Sequence, residues 1–391
     1  MNGKIKNNND NQISAPAVSV IIPFYNAEKY VEETLRTVMD QTLKEIEIIC
    51  ISDGSADGSE EIIKNQMRVD PRVHLYTQEK SNAGVARNTG LSYAHGKYVT
   101  FWDADDLFCE SALEELYKKS EQTNADICVC EVSELHKDGK RYETGGYLQK
   151  KKVPDKDPFN KFDMLGDIFG FASNMVWNKL FRRAFLVGNH LDFQNIRQGN
   201  DTAFVMRAMY KADRITTVWK NLVYYRVNNS TGLTSQSSET WKCPYESFQY
   251  TKQCLEKEAD FPLVEKGFQN KMLKGLYRSL NMQTSFVSYE ALYQFLKEEG
   301  FREAGIYDMP KESMEESWMY TDLQMIKELS PGDFLLYKAK DRMLERDRLK
   351  FRIRKARKDY ALLVRMIEKG RKIKAQLRNT GKRNSGKDET G

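Results

Sequence analysis

The chain has 391 residues, enough for about two domains at ~100–200 residues each. It is 40% hydrophobic and 30% charged with a net charge of +5, which is typical of a soluble globular protein rather than a disordered or membrane-spanning one. No run approaches the ~20 apolar residues that a bilayer-spanning helix needs. The N-terminal stretch is rich in Asn and Lys and lacks the apolar region of a signal peptide, so we expect a flexible leader over residues 1–16.

Short apolar runs alternate with amphipathic stretches in the N-terminal third of the chain. The apolar runs predict buried strands: Val18–Ile22, Ile46–Ile51, Val73–Tyr76, Tyr98–Trp102 and Ile127–Val132. The amphipathic stretches predict helices: Ala27–Met39 with Asn26 as its N-cap, Ser59–Met67, Ala83–Ala94 and Ser111–Ser120. Alternating strands and helices form right-handed βαβ units. We therefore predict an α/β fold with a mostly parallel sheet, in which ligands bind at the carboxyl ends of the strands.

The pattern changes beyond Val132. The polar stretch Lys137–Pro158 predicts a hairpin or loop. Further segments predict two helices and two short strands: Phe159–Phe169 and Asp201–Tyr210, then Ile215–Trp219 and Leu222–Val227. Residues 240–330 predict a helical region without strands, residues 333–378 a basic amphipathic helix, and residues 379–391 a disordered tail.

Basic charge is concentrated near the C-terminus. Between Lys338 and Arg378 there are 17 Lys or Arg residues and five Asp or Glu residues, so residues 1–337 are net acidic. Apolar residues interleave with these cations, and such a helix can lie on an anionic membrane surface. It can equally pack on the protein body or on another chain, and the sequence leaves both open. Nucleic-acid binding is disfavoured because the body is acidic and carries no recognition motif.

The six cysteines are scattered, and none is spaced as in a zinc site. Several lie in apolar runs, where a thiol behaves as a small hydrophobic group. We expect reduced cysteines and a cytoplasmic protein. The residues are Cys50, Cys109, Cys128, Cys130, Cys243 and Cys254.

Three carboxylates directly follow the strand Tyr98–Trp102: Asp103, Asp105 and Asp106. Like charges this close repel one another unless a cation is present, and hard oxygen ligands suit Mg²⁺ or Mn²⁺ with phosphate oxygens completing the shell. The alternative is an acidic turn that precedes the next helix.

Two other predicted strands also end in groups that can bind a ligand. Asp53 can accept a hydrogen bond from a base or a ribose, or it can form an Asp-Gly turn with only local bonds. Pro23, Phe24 and Tyr25 end the first strand, where an aromatic ring can stack on a base or fill the core.

Four segments succeed one another between Val18 and Asp106, namely Val18–Asn26, Ile51–Ser59, Asn82–Gly90 and Gly96–Asp106. Their order and chemistry resemble the inverting family-2 glycosyltransferases of bacterial cell-surface polysaccharide synthesis, which have the GT-A fold. The resemblance implies a GT-A domain over residues 17–235, with a nucleotide-binding half at 17–135 and an acceptor half at 136–235.

The resemblance also implies roles for single residues at the donor site. Pro23, Phe24, Tyr25 and Asp53 would hold the base and ribose. Ala83 and Arg87 would lie near the diphosphate, where a helix N-terminus favours anions, although Arg87 can instead form a structural ion pair. Asp103, Ala104 and Asp105 would contact the donor, and Asp105 or Asp106 would bind the metal.

A second stretch of resemblance covers Trp177 to Thr234. Trp177, Asn178 and Lys179 match a segment near the acceptor. Asn200 and Asp201 match a Glu-Asp motif that supplies the catalytic base, with Asn200 in the place of the Glu and also expected at the acceptor. Asp201 is thus the expected base, or else a helix N-cap. Arg226 matches a basic residue that approaches the donor phosphates.

These matches predict metal-assisted, inverting transfer of a sugar from a nucleotide diphosphate sugar to a hydroxyl. UDP is the expected nucleotide, and a saccharide or lipid-linked saccharide is the expected acceptor, met in the cytoplasm or at the inner face of the membrane. One alternative is another nucleotide-dependent transferase, which would need a Gly-rich basic loop after the first strand. A GT-A-fold binding or scaffolding protein without turnover is the other, and Asn200 favours it.

Overall fold

The computed structural model describes residues 15–227, 239–344, 346, 347, 350, 355 and 358. The chain divides after Leu323 into two compact units. The leader up to residue 14, the disordered tail 379–391 and most of the basic helix beyond residue 344 lie outside the described residues.

Nine strands of the described chain form one sheet in the order β3-β2-β1-β4-β8-β6-β9-β5, with β7 paired to β6. The strands are β1 Val18–Phe24, β2 Ile46–Asp53, β3 Val73–Gln78, β4 Tyr98–Phe101, β5 Leu107–Phe108, β6 Ile127–Leu135, β7 Arg141–Glu143, β8 Lys179–Arg182 and β9 Ile215–Arg226.

Helices pack on this sheet and continue beyond it. They are α1 Val31–Met39, α2 Ser59–Met67, α3 Ala83–Tyr93, α4 Ala112–Thr123, α5 Arg183–Gly188, α6 Asn200–Lys211, α7 Cys243–Leu255, α8 Glu265–Asn281, α9 Phe286–Phe295, α10 Phe301–Glu303 and α11 Ser317–Glu328.

The first four strands run parallel, and the edge strand β3 is only partly buried. Every residue of β1 and β2 is buried, as expected for Val/Ile-rich strands of a parallel sheet between two helical layers. Phe24 pairs with Ser52 and Ile21 pairs with Phe101, so the carboxyl ends of β1, β2 and β4 lie side by side. This edge collects the loops that carry the predicted donor residues.

The rest of the sheet is mixed. Strand β8 lies antiparallel between β4 and β6, while β9 runs parallel to β6 and antiparallel to β5. The predicted α/β fold with a mostly parallel sheet is confirmed. The hairpin predicted after Val132 is also present, because β6 pairs with β7.

Three local predictions were wrong. Asn26 does not cap α1, which begins at Val31 with Tyr30 as its N-cap; Asn26 instead has a φ of 49°. The predicted helix Phe159–Phe169 contains only a 3-10 turn at Lys161–Asp163, because Phe159 bridges to Ile215 at the sheet. The two strands predicted near Ile215 and Leu222 are one continuous strand, β9.

The helical prediction for residues 240–330 agrees with the structure, which shows no strand between residues 239 and 344. Residues 331–344, the described start of the basic segment, are helical. Within the described ranges no helix is long and apolar enough to span a bilayer. All six cysteines are unpaired.

Candidate active site

The loops that follow β1 and β2 are hydrogen-bonded to each other. The Oδ1 atom of Asn26 accepts from the Ala56 amide at 2.9 Å, and the Glu28 amide donates to Asp57 Oδ2 at 3.0 Å. The two loops follow the carboxyl ends of neighbouring strands, and these hydrogen bonds join them into one surface.

Asp53 ends β2 with its carboxylate fixed by the loop after β3. Its Oδ1 atom accepts from Gln78 Nε2 at 2.8 Å and from the Ser81 amide at 2.9 Å. Gly54 turns the chain here with a φ of +74°, a conformation that glycine adopts without strain. Neither bond uses Asp53 Oδ2, which leaves this oxygen for a ligand.

Tyr25 is the exposed aromatic of the β1 loop, with 44% of its surface accessible. The Nζ atom of Lys80 donates to the Tyr25 hydroxyl at 2.6 Å and lies 3.8 Å from the ring centroid. Pro23 and Phe24 are buried within β1. Of these three predicted base-binding residues, only Tyr25 presents a surface on which a base can stack.

Arg87 is buried at the centre of the site and joins three segments. Its Nη2 atom lies 2.7 Å from Asp103 Oδ1, and its Nη1 atom donates to Asn200 Oδ1 at 2.8 Å. Its guanidinium also lies 5.4 Å from the Phe193 ring. Arg87 thus forms an ion pair, one of the two possibilities that the sequence left open, and it links α3, the acidic motif and the start of α6. Its proximity to the donor diphosphate stays a prediction.

A close approach of α3 to α6 makes this link possible. Asn82 caps α3 by accepting from the amides of Gly84 and Val85. A Cβ atom at Gly84 would lie 2.9 Å from the Cβ of Asn200, so a larger side chain would push the helices apart. Ala83, half-buried, is the first residue of α3.

Asp201 lies in the first turn of α6, next to the residue that Arg87 holds. Burial raises the pKa of its carboxyl group, and the negative charge of Asp103 raises it further, whereas Arg87 and Lys179 act in the opposite direction. A carboxylate with a raised pKa is a stronger base than an ordinary aspartate, which suits proton abstraction from a hydroxyl.

The acidic motif divides into an accessible part and a buried part. The Asp103 side chain is 31% exposed and Asp105 is half-buried, while Asp106 is 1% exposed. Asp106 Oδ1 accepts from the Arg226 amide at 2.8 Å, but its Oδ2 is buried without a hydrogen-bond partner. Burial raises the pKa of Asp106 well above its ordinary value, and Asp105 and Asp103 add to this effect. The Ala104 carbonyl accepts from Thr34 Oγ1 at 2.9 Å.

These carboxylates fit a divalent cation. Three acidic groups share one loop, and although Arg87 pairs with Asp103, the Oδ2 atom of Asp106 is buried without a hydrogen-bond partner. The described residues contain no ready-made cluster of three or more metal-ligating side chains. A hard cation at this loop would therefore complete its oxygen shell with substrate phosphates.

Arg226 already has partners for its charge. Its Nη2 atom lies 3.0 Å from Glu33 Oε2, and its Nε atom donates to the Asp105 carbonyl at 2.8 Å. The side chain thus ties α1 to the acidic motif, and its role toward the donor phosphates stays a prediction. The matching segment continues past residue 227, outside the described part of the chain.

The four residues predicted to contact the acceptor are buried. Trp177 stacks on Tyr225 with ring centroids 5.3 Å apart, and Asn178 Nδ2 donates to the Cys130 carbonyl. Lys179 donates to the carbonyls of Ser173 and Met175 and to Asn178 Oδ1. Together with Asn200 they support the site from within. Direct acceptor contact stays a prediction, and it requires a conformation other than this one.

Three residues of the site were missed in the sequence. Gln78, Lys80 and Ser81 all follow or end β3 and contact Asp53 or Tyr25. The rule that ligands bind at strand ends applies to β3 as well. Applying that rule to the third strand would have identified all three.

The sequence is similar to those of known proteins. The model of the family described as Glycosyl transferase family 2 matches residues 19–180. Glycosyltransferase GlyG of Streptococcus pneumoniae is 31% identical over 230 residues, which cover 57% of this chain and 75% of GlyG. EpsJ of Bacillus subtilis is 32% identical over 214 residues, covering 54% of this chain. The matched regions cover only 62% of EpsJ and 63% of EpsH from the same organism.

Solved structures agree on the fold. TarS 1-349 of S. aureus in complex with UDP-GlcNAc superposes with a TM-score of 0.63 at 18% identity, covering 81% of this chain and 89% of that one. At this identity the likeness concerns the fold, and it supports the GT-A architecture. The family match, the relationship to GlyG and the geometry of the strand-end loops lead to one conclusion: the chain belongs to glycosyl transferase family 2.

Proposed function

We propose that the chain is an inverting glycosyltransferase whose GT-A domain spans residues 17–235. One observation carries the proposal: Arg87 bonds Asp103 and Asn200 at once, which brings the base candidate Asp201 next to the acidic motif. A hydroxyl can attack a nucleotide-bound sugar only if the proton acceptor and the diphosphate site lie in the same active site.

We propose UDP as the nucleotide of the donor. Tyr25 offers a ring for the base and Asp53 an acceptor oxygen for an N–H or a ribose hydroxyl. The structural relative TarS has been solved with UDP-GlcNAc. That complex supports the same nucleotide class here and leaves the sugar to experiment.

Asp105 is the proposed principal ligand of Mn²⁺ or Mg²⁺. Asp106 is buried and bonded to the Arg226 amide, whereas Asp105 retains access to solvent. When bound, such a cation would offset the negative charge on the departing diphosphate. Asp103, held by Arg87, would face the ribose.

The chemistry of the transfer then belongs to Asp201. Its carboxylate accepts the proton of the acceptor hydroxyl while that oxygen forms a bond to the anomeric carbon. The bond from this carbon to the diphosphate oxygen breaks on the opposite face, so the configuration inverts in one step. General-base assistance of this kind contributes about 10²–10⁴-fold to the rate.

The proposed acceptor is a saccharide or lipid-linked saccharide, met in the cytoplasm at the inner face of the membrane. The six free thiols support a reducing compartment, and the basic segment near the C-terminus supports contact with anionic lipid. Deleting residues 338–391 should release the protein from anionic vesicles in a sedimentation assay. Unchanged sedimentation would contradict the membrane role.

Calorimetric titration tests the donor site. UDP, GDP, TDP and CMP are titrated with and without Mn²⁺ into wild type, Asp105→Ala and Asp106→Ala. Asp138→Ala, on the exposed β6–β7 hairpin, is the matched control. We expect Mn²⁺-dependent binding of UDP that Asp105→Ala abolishes and Asp138→Ala leaves intact. If no nucleotide binds to folded wild type, the chain is a non-catalytic relative and the proposal fails.

A further inference from the structure

The helix α8 carries two cations beside the candidate active site that the proposed mechanism does not use. It packs closely on the segment before β8: a Cβ atom at Gly267 would lie 2.5 Å from the Gly166 carbonyl oxygen. Four residues further along α8, Lys271 donates to the Ala172 carbonyl at 3.1 Å. Lys271 and Arg278 are seven residues apart and so lie on the same face of the helix.

Between this face and the acidic motif lies a group of aromatic rings in contact with one another, Tyr147, Trp177 and Tyr225. Ala172 bridges to Leu148, and the neighbouring Tyr147 has its ring 6.1 Å from that of Tyr225. Burial raises the pKa of both tyrosines, and the positive charge of Arg278 acts in the opposite direction. Tyr225 directly precedes Arg226, whose amide donates to Asp106 Oδ1 at 2.8 Å. Burial raises the pKa of Tyr225 to about 12, and the charges of Asp106, Asp103 and Asp105 add to this effect.

The other cations near the site are already neutralised. Arg87 pairs with Asp103, and Arg226 pairs with Glu33. On α8 itself, Lys274 pairs with Glu315 and Glu316. Lys152 likewise lies within ion-pair distance of Asp167 and Glu315.

Lys271 and Arg278 differ from these cations. Within the described ranges neither forms an ion pair, and Arg278 is exposed. Burial lowers the pKa of Lys271 to about 8, and the positive charges of Lys152, Lys274 and Arg278 contribute. The carboxylate of Glu315 opposes this shift but forms no ion pair with Lys271. Positive charge that no ion pair neutralises favours an anion from outside the protein.

We propose that Lys271 and Arg278 form an anion site at the edge of the candidate active site that binds a phosphate group of a substrate. Arginine and lysine are the usual phosphate-binding side chains. The phosphate group belongs either to the donor diphosphate or to the acceptor. Naming these two substrates rests on the proposed function, whereas the anion site itself does not. The site gives the helical region beyond residue 240 a part in substrate binding.

Titrations of the full chain with UDP and UMP test the site in Arg278→Gln and Lys271→Gln. Lys274→Gln is the matched control, since it removes the same charge from the same helix at a residue that is already paired. Loss of a charged hydrogen bond predicts roughly 10-fold weaker binding of UDP. If UMP binding is unchanged, the donor diphosphate is the ligand, and Arg278→Lys should restore most of the affinity.

A second titration addresses the acceptor. Inorganic phosphate is titrated into the UDP-saturated protein, and loss of its binding in the two variants, with UDP affinity unchanged, assigns the site to an acceptor phosphate. If neither UDP nor phosphate binding changes, or if Lys274→Gln has the same effect, the proposal is overturned. Should wild type bind no nucleotide, the proposed function fails, but inorganic pyrophosphate still tests the anion site with the same three variants.

Discussion

The Nη2 atom of Arg87 lies 2.7 Å from Oδ1 of Asp103, within a site where the arginine side chain is 8% exposed. An ion pair this deep is costly to break on one side only, because the remaining charge stays buried. The pair fixes the first carboxylate of the acidic motif relative to α3. Since Arg87 also binds Asn200, the position of the candidate base depends on the same guanidinium.

Replacing the base should slow transfer strongly but preserve donor binding. We expect Asp201→Asn to lower the rate by about 10²–10⁴-fold, the contribution typical of a general base. Sugar transfer or donor hydrolysis is measured beside calorimetric UDP binding. Asp192→Asn, an exposed aspartate in the loop before α6, is the control. Full activity of Asp201→Asn would assign the base to another residue.

The acidic limb of the pH–rate profile should lie above the range of an ordinary aspartate. Asp201 must be deprotonated to act, and burial and Asp103 raise its pKa, so activity is lost as pH falls through that raised value. Asn200→Asp adds a carboxylate beside Arg87 and should move the limb to still higher pH. Asn195→Asp, at an exposed position in the loop before α6, should leave the limb in place. An acidic limb that Asn200→Asp does not shift would exclude Asp201 as the titrating group.

Substitutions of the two candidate metal ligands, Asp105 and Asp106, should have different effects. Asp105→Asn should weaken Mn²⁺-dependent UDP binding by about 10-fold or more, because a charged oxygen ligand is lost. Asp106→Asn should act mainly on stability, since the Asp106 carboxylate receives the Arg226 amide inside the protein. Mn²⁺ titrations and thermal unfolding of both variants distinguish these effects. The reverse pattern would make Asp106 the principal ligand.

Lys179 should make the free energy of unfolding depend on pH above neutrality. Burial lowers its pKa in the folded protein to about 7, against about 10.4 for an unfolded chain. Between these values the unfolded state binds more protons, so the free energy of unfolding rises with pH. The Lys179→Met protein should lose this rise in denaturant titrations at pH 7 and pH 9, whereas Lys220→Met, at an exposed site, should keep it. Equal pH dependence in all three proteins would contradict the lowered pKa.

The parallel half of the fold was predictable because each signal is local. Short runs of β-branched residues such as Val18–Ile22 are typical of buried strands, and the helix Ser59–Met67 was predicted with its observed bounds. The helix predicted over Phe159–Phe169 was wrong because Phe159 forms a β-bridge with Ile215, which is distant in sequence.

The site was predictable in its residues but less so in their roles. Asp53, Asp103 and Asp201 could be located because strand and helix ends concentrate binding groups. That Trp177 and Lys179 are buried, or that Arg278 lies near Tyr225, depends on how distant segments pack. No spacing rule encodes such packing.

The triple contact of Arg87 also bears on how this enzyme family can be recombined. Arg87 and Asp103 are 16 residues apart in sequence, whereas Asn200 lies 113 residues beyond Arg87. A chimera with a crossover between residues 104 and 199 would combine one parent's Arg–Asp pair with the other parent's partner. When acceptor-side halves are exchanged between relatives, the residues at positions 87 and 200 should therefore be taken from the same parent.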